Sequence, residues 1–568
     1  MSDISSNPII ITDMSLCLPA VAIIDGIKEG CWRKCSYETI DGTKGTMLFA
    51  APEDHAQEIM MPLNLSGWFR IYIGVNFTRG SEYSHNGQLF LKLTGEEGFT
   101  PVSWEDMDDR VEPLLERFKI DFANITKEVE NTSIYEIFWR TADLTSKSIC
   151  IRPPDEPYAR NVISNISYIK LVPLNTEELN EYKLLCENTN TKKLNMMWCT
   201  AILSGSTKGE KMFRPKDKQF FYDAMQPVIG SDVESLSFEA IRGNICLFKT
   251  KIGDTGEGDC RWDPEWIDPL ETMTELCHNN KIKIFASCRM IGAWYPVKRG
   301  PMHRAKFYWE HPEYRQVDEN GVYTSNLSLA FPEVRNFWIS MLKETLSYGI
   351  DGVHIYLNRC YPYVLYEKPV IEDFIGKYGC DPRKLPLNDP RWIEHYTSYT
   401  TQFIYEVRKM LDETSLNLQL AITVNAAHLN SINPDHVLKY TFDVDEWIRR
   451  ELVNIIIPTK LEDVYHIKRW NELSRGNVKI MPDLLPRTMP GELYCAIAEE
   501  YYNSGAWGFS FWDAQGRPPR STEWGIAKYL GHRENLEFLR EESKHYEKKV
   551  IQLKYINNMS VEHSFHCG

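Results

Sequence analysis

The spacing of hydrophobic and polar positions changes part-way along the chain, near Leu194. Before this point, short β-branched or alternating runs are separated by turn residues, and Trp68–Val75 alternates well enough for a strand. Short strands spaced by roughly ten residues are typical of an antiparallel sandwich. The predicted strands of this part are Thr46–Ala50, Trp68–Val75, Gln88–Leu93, Ser133–Trp139, Ser148–Ile151 and Ile166–Val172.

From Leu194 onward, short buried strands alternate with amphipathic helices. Within Glu333–Tyr348 and Tyr399–Leu411 the apolar residues recur at helical spacing, and Gly349 ends the first of these helices. Strands alternating with helices predict a (β/α)8 TIM barrel, with a doubly wound open sheet as the rival, although its usual glycine-rich first turn is absent. The predicted barrel strands are Asn195–Ala201, Ser235–Phe238, Ile282–Cys288, Val353–Leu357, Leu418–Val424, Asn454–Pro458, Val478–Met481 and Gly508–Phe511.

These patterns divide the chain into four parts. Residues 1–175 form the predicted antiparallel β-sandwich, and the polar stretch 176–193 is a linker. Residues 194–540 form the barrel, and 541–568 is a tail with a β-like stretch at Val550–Ile556. We expect this tail to pack back on a domain.

Composition and charge narrow the range of possible functions. The net charge of −15 and the pI near 5.5 argue against a nucleic-acid binder, because neutralising phosphates requires clustered Lys and Arg. The chain has 16 Trp and 29 Tyr, which suits flat, hydroxylated ligands such as sugars, although a large barrel also buries many aromatic side chains.

The sequence predicts a cytosolic protein that needs no cofactor. It has 14 Cys without a CxxC pair, no signal peptide and no apolar run long enough to span a membrane. HExxH, P-loop, GxSxG and GxGxxG motifs are absent, so neither a metal nor a nucleotide cofactor is expected. Homo-oligomerisation is left open.

Candidate chemistry lies at the carboxyl ends of the predicted strands, where barrel enzymes carry their active sites. The residues found there are carboxylates, amides, arginines and aromatics. The candidate catalytic residues are Asp483, Asp513, Glu239 and Glu367. The candidate substrate-binding residues are Trp198, Arg289, Trp294, Tyr356, Asn358, Arg359, Asn425, Trp512 and Arg517.

Paired carboxylates with aromatic platforms indicate glycoside hydrolysis, in which one carboxyl protonates the leaving oxygen and the other attacks or activates water. Asp483 and Asp513 are the first choice as a pair because they follow neighbouring strands. Each carboxylate could instead be structural, capping a helix or pairing with an arginine. Asp351 precedes its strand and His354 lies inside it, so both are predicted to be structural.

Several ordered motifs resemble the glycosyl-hydrolase-like family 10. They are Trp309–Tyr314, Leu327–Arg335, Tyr348–Tyr356, Phe374–Arg383 and Gly508–Asp513. The resemblance covers roughly residues 194–540 and implies a TIM barrel of the glycosidase type. The stretch Ala142–Ile151 resembles, more weakly, part of a jelly-roll, carbohydrate-binding-like module.

One position departs from this family. Relatives often carry Asp after the fourth strand, where such glycosidases place the nucleophile, but this chain has Tyr356 there, followed by Leu357 and Asn358. Tyrosine is a poor nucleophile unless a nearby base activates it. The leading hypothesis is therefore a glycoside hydrolase that uses other carboxylates, with a catalytically silent carbohydrate-binding barrel as the alternative and a sugar-acid isomerase or lyase as the third.

Overall fold

A computed structural model describes most of the chain. The described residues are 7–76, 89–102, 110–121, 133–154, 163–187, 191–200, 203, 215, 217–243, 245–254, 267–290, 306–358, 362–426, 442–486, 489–512, 521–547 and 549–561. Among these, no helix is both long enough and apolar enough to cross a membrane.

Two mainly antiparallel sheets, of ten and four strands, contain all the strands that the structure describes in the first part of the chain. One hydrophobic core lies between them, with Ile71 and Ile137 contributed by the larger sheet and Leu91 and Ile149 by the smaller. Their strands are β1 (Ile9–Ile11), β2 (Ile23–Ile24), β3 (Trp32–Thr39), β4 (Lys44–Ala50), β5 (Ile59–Pro62), β6 (Trp68–Val75), β7 (Leu89–Leu93), β8 (Thr100–Val102), β9 (Ser133–Asp143), β10 (Ser148–Arg152), β11 (Ser164–Ile166) and β12 (Tyr168–Pro173).

The ten-stranded sheet also contains the last two strands of the chain, β24 (Lys549–Ile556) and β25 (Met559–Ser560). β24 lies between β9 and β3, and it is antiparallel to both. Its first half pairs with β9 and its second half with β3. A segment remote in sequence thus joins the two halves of this sheet.

The second part of the chain forms a curled, mainly parallel sheet. Its strands are β13 (Leu194–Trp198), β14 (Val233–Arg242), β15 (Ile245–Cys246), β16 (Lys283–Arg289), β19 (Gly352–Tyr356), β20 (Gln419–Asn425), β21 (Ile455–Thr459), β22 (Lys479–Ile480) and β23 (Phe509–Phe511). Their spatial order is β22, β21, β20, β19, β16, β14, β13, β23, with β15 forming a hairpin with β14. A separate hairpin comprises β17 (Arg315–Val317) and β18 (Tyr323–Leu327).

Helices connect the parallel strands. The α-helices described along the whole chain are Val111–Phe118, Thr176–Glu187, Gln219–Met225, Pro269–Asn279, Lys306–Glu310, Pro332–Thr345, Lys368–Tyr378, Pro390–Thr414, Val444–Arg449, Tyr465–Ser474, Gly491–Asn503, Ser521–Ala527 and Leu536–Ser543. Each of the eight predicted barrel strands overlaps an observed parallel strand, which confirms the alternation of strands and helices.

The turn before β19 has the predicted form. Gly349 has a φ of 76° and ends the preceding helical segment, a left-handed conformation that glycine adopts without strain. Asp351 then accepts hydrogen bonds from the Ile284 backbone N–H (2.8 Å) and lies 3.0 Å from His278 Nε2. This confirms that Asp351 stabilises the end of the sheet where the strands begin.

Candidate active site

Six side chains meet where the parallel strands end, and we call them the strand-end cluster. They are Cys199, Glu239, Arg242, Arg289, Tyr356 and Trp512. They come from the residue after β13, from the strands β14, β16 and β19, and from the residue after β23. Because these strands run parallel, their carboxyl ends share one edge of the sheet, so residues far apart in sequence converge there.

Glu239 is the central carboxylate of the cluster, and its side chain is fully buried. Its Oε1 lies 2.5 Å from Arg289 Nε, and its Oε2 accepts a hydrogen bond from Arg242 Nη1 at 3.1 Å. The backbone N–H of Thr200 also donates to Oε2, at 3.0 Å. A buried carboxylate is tolerated when it is paired and hydrogen-bonded in this way.

A β-bulge in β14 explains why Glu239 and Arg242 face each other. Residues three apart in a regular strand point to opposite faces. Here Glu239 pairs with Ser287 and Ile241 with Cys288, so Ala240 is an extra residue in the pairing with β16. The bulge shifts the alternation and brings both charged side chains to the same side of the sheet.

Two aromatic rings contact the arginine of this ion pair. Tyr356 and Trp512 have ring centroids 4.7 Å apart at 63°, and the guanidinium carbon of Arg289 lies 5.1 Å from the Trp512 ring and 5.8 Å from the Tyr356 ring. Cation–π contacts of this kind strengthen when water is excluded. Both aromatic side chains are buried, so the rings hold Arg289 in place.

Burial, together with the charge of Glu239, raises the pKa of the Tyr356 hydroxyl well above its usual range. The tyrosine is therefore neutral near neutral pH and is a weak nucleophile there. Next to it, His354 forms hydrogen bonds with Ser237 (2.8 Å) and Thr423 (2.7 Å), and burial lowers its pKa to about 3. This confirms the prediction that His354 is a satisfied core histidine.

Asp483 lies beside Trp512 at the ends of neighbouring strands. Its Oδ1 accepts a hydrogen bond from the Trp512 backbone N–H at 2.7 Å, and the residue is only 3% exposed. Trp512 contacts Arg289, which in turn pairs with Glu239. The two carboxylates therefore belong to the same end of the sheet, linked through one arginine and one tryptophan.

Comparison with known proteins gives structural similarities only. No family model and no curated protein matches the sequence. An α-amylase from Lactobacillus plantarum is 11% identical, with 62% of this chain and 82% of that chain covered and a TM-score of 0.35. A β-galactosidase from Rahnella sp. R3 is 12% identical over 57% of this chain and 53% of that chain, with a TM-score of 0.37.

A chitinase from Chromobacterium violaceum is 10% identical, with 60% of this chain and 98% of that chain covered and a TM-score of 0.32. These three neighbours are glycoside hydrolases. Membership of glycosyl-hydrolase-like family 10 stays a prediction.

The other predicted site residues fall into two groups. Asn358 and Asn425 are buried at the ends of β19 and β20. Trp198 faces the helices, where its ring packs against Phe220, Phe221 and Phe238, and a substrate contact for it stays a prediction. Asp513, Trp294, Arg359 and Arg517 lie outside the described residues.

Glu367 precedes the helix Lys368–Tyr378 and is fully buried. The backbone N–H of Leu365 donates to both of its carboxylate oxygens, at 3.1 and 3.0 Å. Burial raises the pKa of Glu367 to about 7. Hydrogen bonds from neighbours, including the Leu365 backbone and the Ser328 side chain, lower the pKa by a smaller amount. These neighbours lie in the loop after β19 and just after β18, outside the strand-end cluster.

We expect Glu367→Gln to remove a pH-dependent loss of stability. The folded protein holds the Glu367 proton more tightly than the unfolded chain, so the free energy of unfolding falls as pH rises from 4.5 through about 7. The shift corresponds to about 3 kcal/mol. Urea unfolding across this range should show the variant gaining that amount over the wild type at the alkaline end.

The matched control for this prediction is Glu372→Gln, an exposed glutamate on the same helix. Its stability should differ from that of the wild type by an amount that does not change with pH. Parallel pH profiles for Glu367→Gln and the wild type would contradict the role given to Glu367.

Sequence reasoning missed Arg242 and Cys199. Arg242 follows Glu239 by three positions, and in a regular strand the two side chains would point to opposite faces of the sheet. They lie on the same face because of the bulge in β14. Cys199 was included in the predicted strand Asn195–Ala201, whereas β13 ends at Trp198. A predicted strand three residues shorter, ending at Trp198, would have placed the thiol among the groups at the carboxyl end.

Proposed function

We propose that this protein is a glycoside hydrolase that acts on an oligosaccharide or small glycoside by paired-carboxylate catalysis. The observation that carries the proposal is the position of Asp483 against Trp512, the residue before Asp513, at the sheet edge that also holds Glu239 and Arg289. Glycosidic cleavage requires two carboxyl groups on either side of the scissile bond. Aromatic rings can stack on a sugar ring, and polar groups such as Asn358 can bind its hydroxyls.

The proposal includes a complete (β/α)8 barrel over residues 194–540. Supporting it, the backbone N–H of Ser510 donates to the Pro482 carbonyl (2.9 Å), and that of Leu484 donates to the Ser510 carbonyl (3.0 Å). A parallel bridge also pairs Asp483 with Ser510. These contacts link the first and last strands of the spatial order, as closure of a barrel requires.

The remaining domain assignments belong to the same proposal. Residues 1–175 form a β-sandwich that is carbohydrate-binding-like, 176–193 the linker and 541–568 a tail that packs on the sandwich. The shared core of the two antiparallel sheets and the position of β24 support this division. The proposed partner is a carbohydrate and the proposed location is the cytosol.

The four carboxylates differ in their suitability for each role. Glu239 is paired with two arginines, which suits a residue that acts as an anion, either as nucleophile or as base. Glu367 has the raised pKa that a general acid needs, yet its neighbours lie in loops rather than in the strand-end cluster. Asp483 and Asp513 remain the proposed acid–base pair, since Asp513 directly follows Trp512 in the sequence.

We expect Asp483→Asn and Asp513→Asn each to lower turnover at least ~100-fold, the low end for removing an acid–base group. The measurement is hydrolysis of a broad glycoside panel by the full chain, with circular dichroism to confirm that each variant folds. Glu394→Gln, at an exposed residue that pairs with Lys377 on the helices, is the matched control. Near-full activity in both aspartate variants would exclude Asp483 and Asp513 as the catalytic pair.

The alternative function is carbohydrate binding without cleavage. Two observations favour it: Tyr356 stands where relatives place a nucleophile, and Glu239 is already neutralised by arginines. Tight binding in calorimetry with no turnover of any bound sugar would establish this alternative. The third function, a sugar-acid isomerase or lyase, is favoured by the two arginines themselves, and conversion of a carboxylate-bearing sugar would reveal it.

A further inference from the structure

Cys199 is held by two arginines of the strand-end cluster. Its sulfur lies 3.3 Å from Arg242 Nη1 and 3.6 Å from Arg289 Nη2. The arginines come from the adjacent strands β14 and β16, so two separate strands bring guanidinium groups to one thiol. A guanidinium group only donates hydrogen bonds, and therefore the sulfur is the acceptor in both contacts.

Two positive charges at this distance favour the thiolate over the thiol. The opposing influences are burial, since Cys199 is 7% exposed, and the Glu239 carboxylate, which shares both arginines. Tyr356 also adjoins the sulfur, but it is neutral near neutral pH. Among the described contacts, the charged groups nearest to Cys199 are thus two cations and one anion, so the surroundings of the sulfur carry a net positive charge.

Other buried cysteines of the same half of the molecule provide a contrast. Burial raises the pKa of Cys495 to about 12, and it raises that of Cys246, Cys277 and Cys288 even further. A buried thiol of this kind is unreactive because it stays protonated. Cys199 differs from them in its two arginine contacts.

A second feature of the cluster points to a ligand. The Tyr356 hydroxyl belongs to a side chain that is only 2% exposed, with Ser287 beside it, and it makes no hydrogen bond of regular geometry within the described residues. The Glu239 carboxylate raises the pKa of this hydroxyl, and the Arg289 guanidinium lowers it. A buried O–H group beside this thiol and the Arg289 guanidinium can donate a hydrogen bond to a small molecule bound there.

We propose that Cys199 is a thiolate nucleophile in the candidate site and a site of covalent modification by small, soft electrophiles. With an alkyl halide, the sulfur lone pair forms a C–S bond while the carbon–halogen bond breaks and halide leaves. The thiol proton has already passed to solvent, so the step needs no base or cofactor. This reactivity is independent of the proposed carboxylate chemistry.

Pulse labelling of the full chain with iodoacetamide, followed by peptide mass spectrometry, tests the proposal. Near neutral pH we expect Cys199 to react at least ~10-fold faster than Cys246, Cys277 and Cys495, because far more of it is thiolate. Its rate should change little as the pH is lowered by about one unit below neutral, whereas an ordinary thiol would slow about tenfold. Labelling in concentrated urea should abolish these differences, because the arginine contacts are then lost.

The variant Arg242→Met distinguishes the effect of a neighbouring positive charge on the labelling rate of Cys199 from the effect of its accessibility. It should slow the labelling of Cys199 and move the midpoint of its pH profile upward, whereas Arg450→Met, at an exposed arginine, should change neither. The ultraviolet absorbance of the thiolate, compared between wild type and Cys199→Ser, reports ionisation even if the reagent enters slowly. The proposal is overturned if that absorbance difference is absent at neutral pH, or if Cys199 labels no faster than the buried cysteines.

Discussion

Deleting residues 549–568 is expected to prevent the protein from folding. This deletion removes β24, which lies between β9 and β3 in the ten-stranded sheet. Both neighbours would become edges, and the buried side chains that pack around Leu553, including Tyr37 and Ile134, would meet water. Exposed hydrophobic edges promote aggregation, and domains have only about 5–15 kcal/mol of stability to lose. The measurement is soluble yield together with thermal unfolding.

A shorter deletion of residues 562–568 is the matched control, because it leaves β24 and β25 in place. Two point variants in β24 make the same comparison within the intact chain. Leu553 is buried and Lys554 is exposed, so Leu553→Ala should cost about 2–5 kcal/mol while Lys554→Ala should have little effect. A soluble 549–568 deletion with an unchanged melting temperature would show that β24 is dispensable.

Local patterns in the sequence predict much of this fold. Trp68–Val75 was predicted as a strand and forms β6 with the same bounds, because alternation directly reflects which face of a strand is buried. Gly349 was predicted to end a helix, and it does so with a positive φ, which glycine adopts without strain because it has no side chain. The structural roles of His354 and Asp351 were predicted from their positions, because His354 lies within a strand and Asp351 just before it.

The features that the sequence does not predict depend on long-range contacts. Val550–Ile556 looks like a strand, but nothing local indicates that its neighbours are β9 and β3, since that pairing is set by the rest of the sheet. The bulge at Ala240 is likewise invisible locally, although it decides that Arg242 joins Glu239. For the same reason, the contacts of Cys199 with two arginines could not be foreseen.

We expect Glu239→Ala to cost about 3–5 kcal/mol of stability, the range for removing one partner of a buried ion pair. The Arg289 and Arg242 side chains are 6% and 11% exposed, and the substitution would leave two buried guanidiniums without this carboxylate. Urea unfolding measures the effect. Glu394→Ala, which removes an exposed partner of Lys377, should cost no more than about 1 kcal/mol.

The double variant Glu239→Leu/Arg289→Met distinguishes a structural role for Glu239 from a chemical one. Replacing both members of a buried pair with apolar residues can restore stability, so the double variant should recover the part of the Glu239→Ala loss that comes from Arg289, while Arg242 still lacks the carboxylate. If Glu239 only holds the arginines, the double variant should hydrolyse glycosides as fast as Arg289→Met alone. If its carboxylate acts on the substrate, the double variant should fold and remain inactive, because no apolar side chain can attack a sugar or activate water. A double variant no more stable than Glu239→Ala would instead mean that the ion pair does not determine the stability of this end of the sheet.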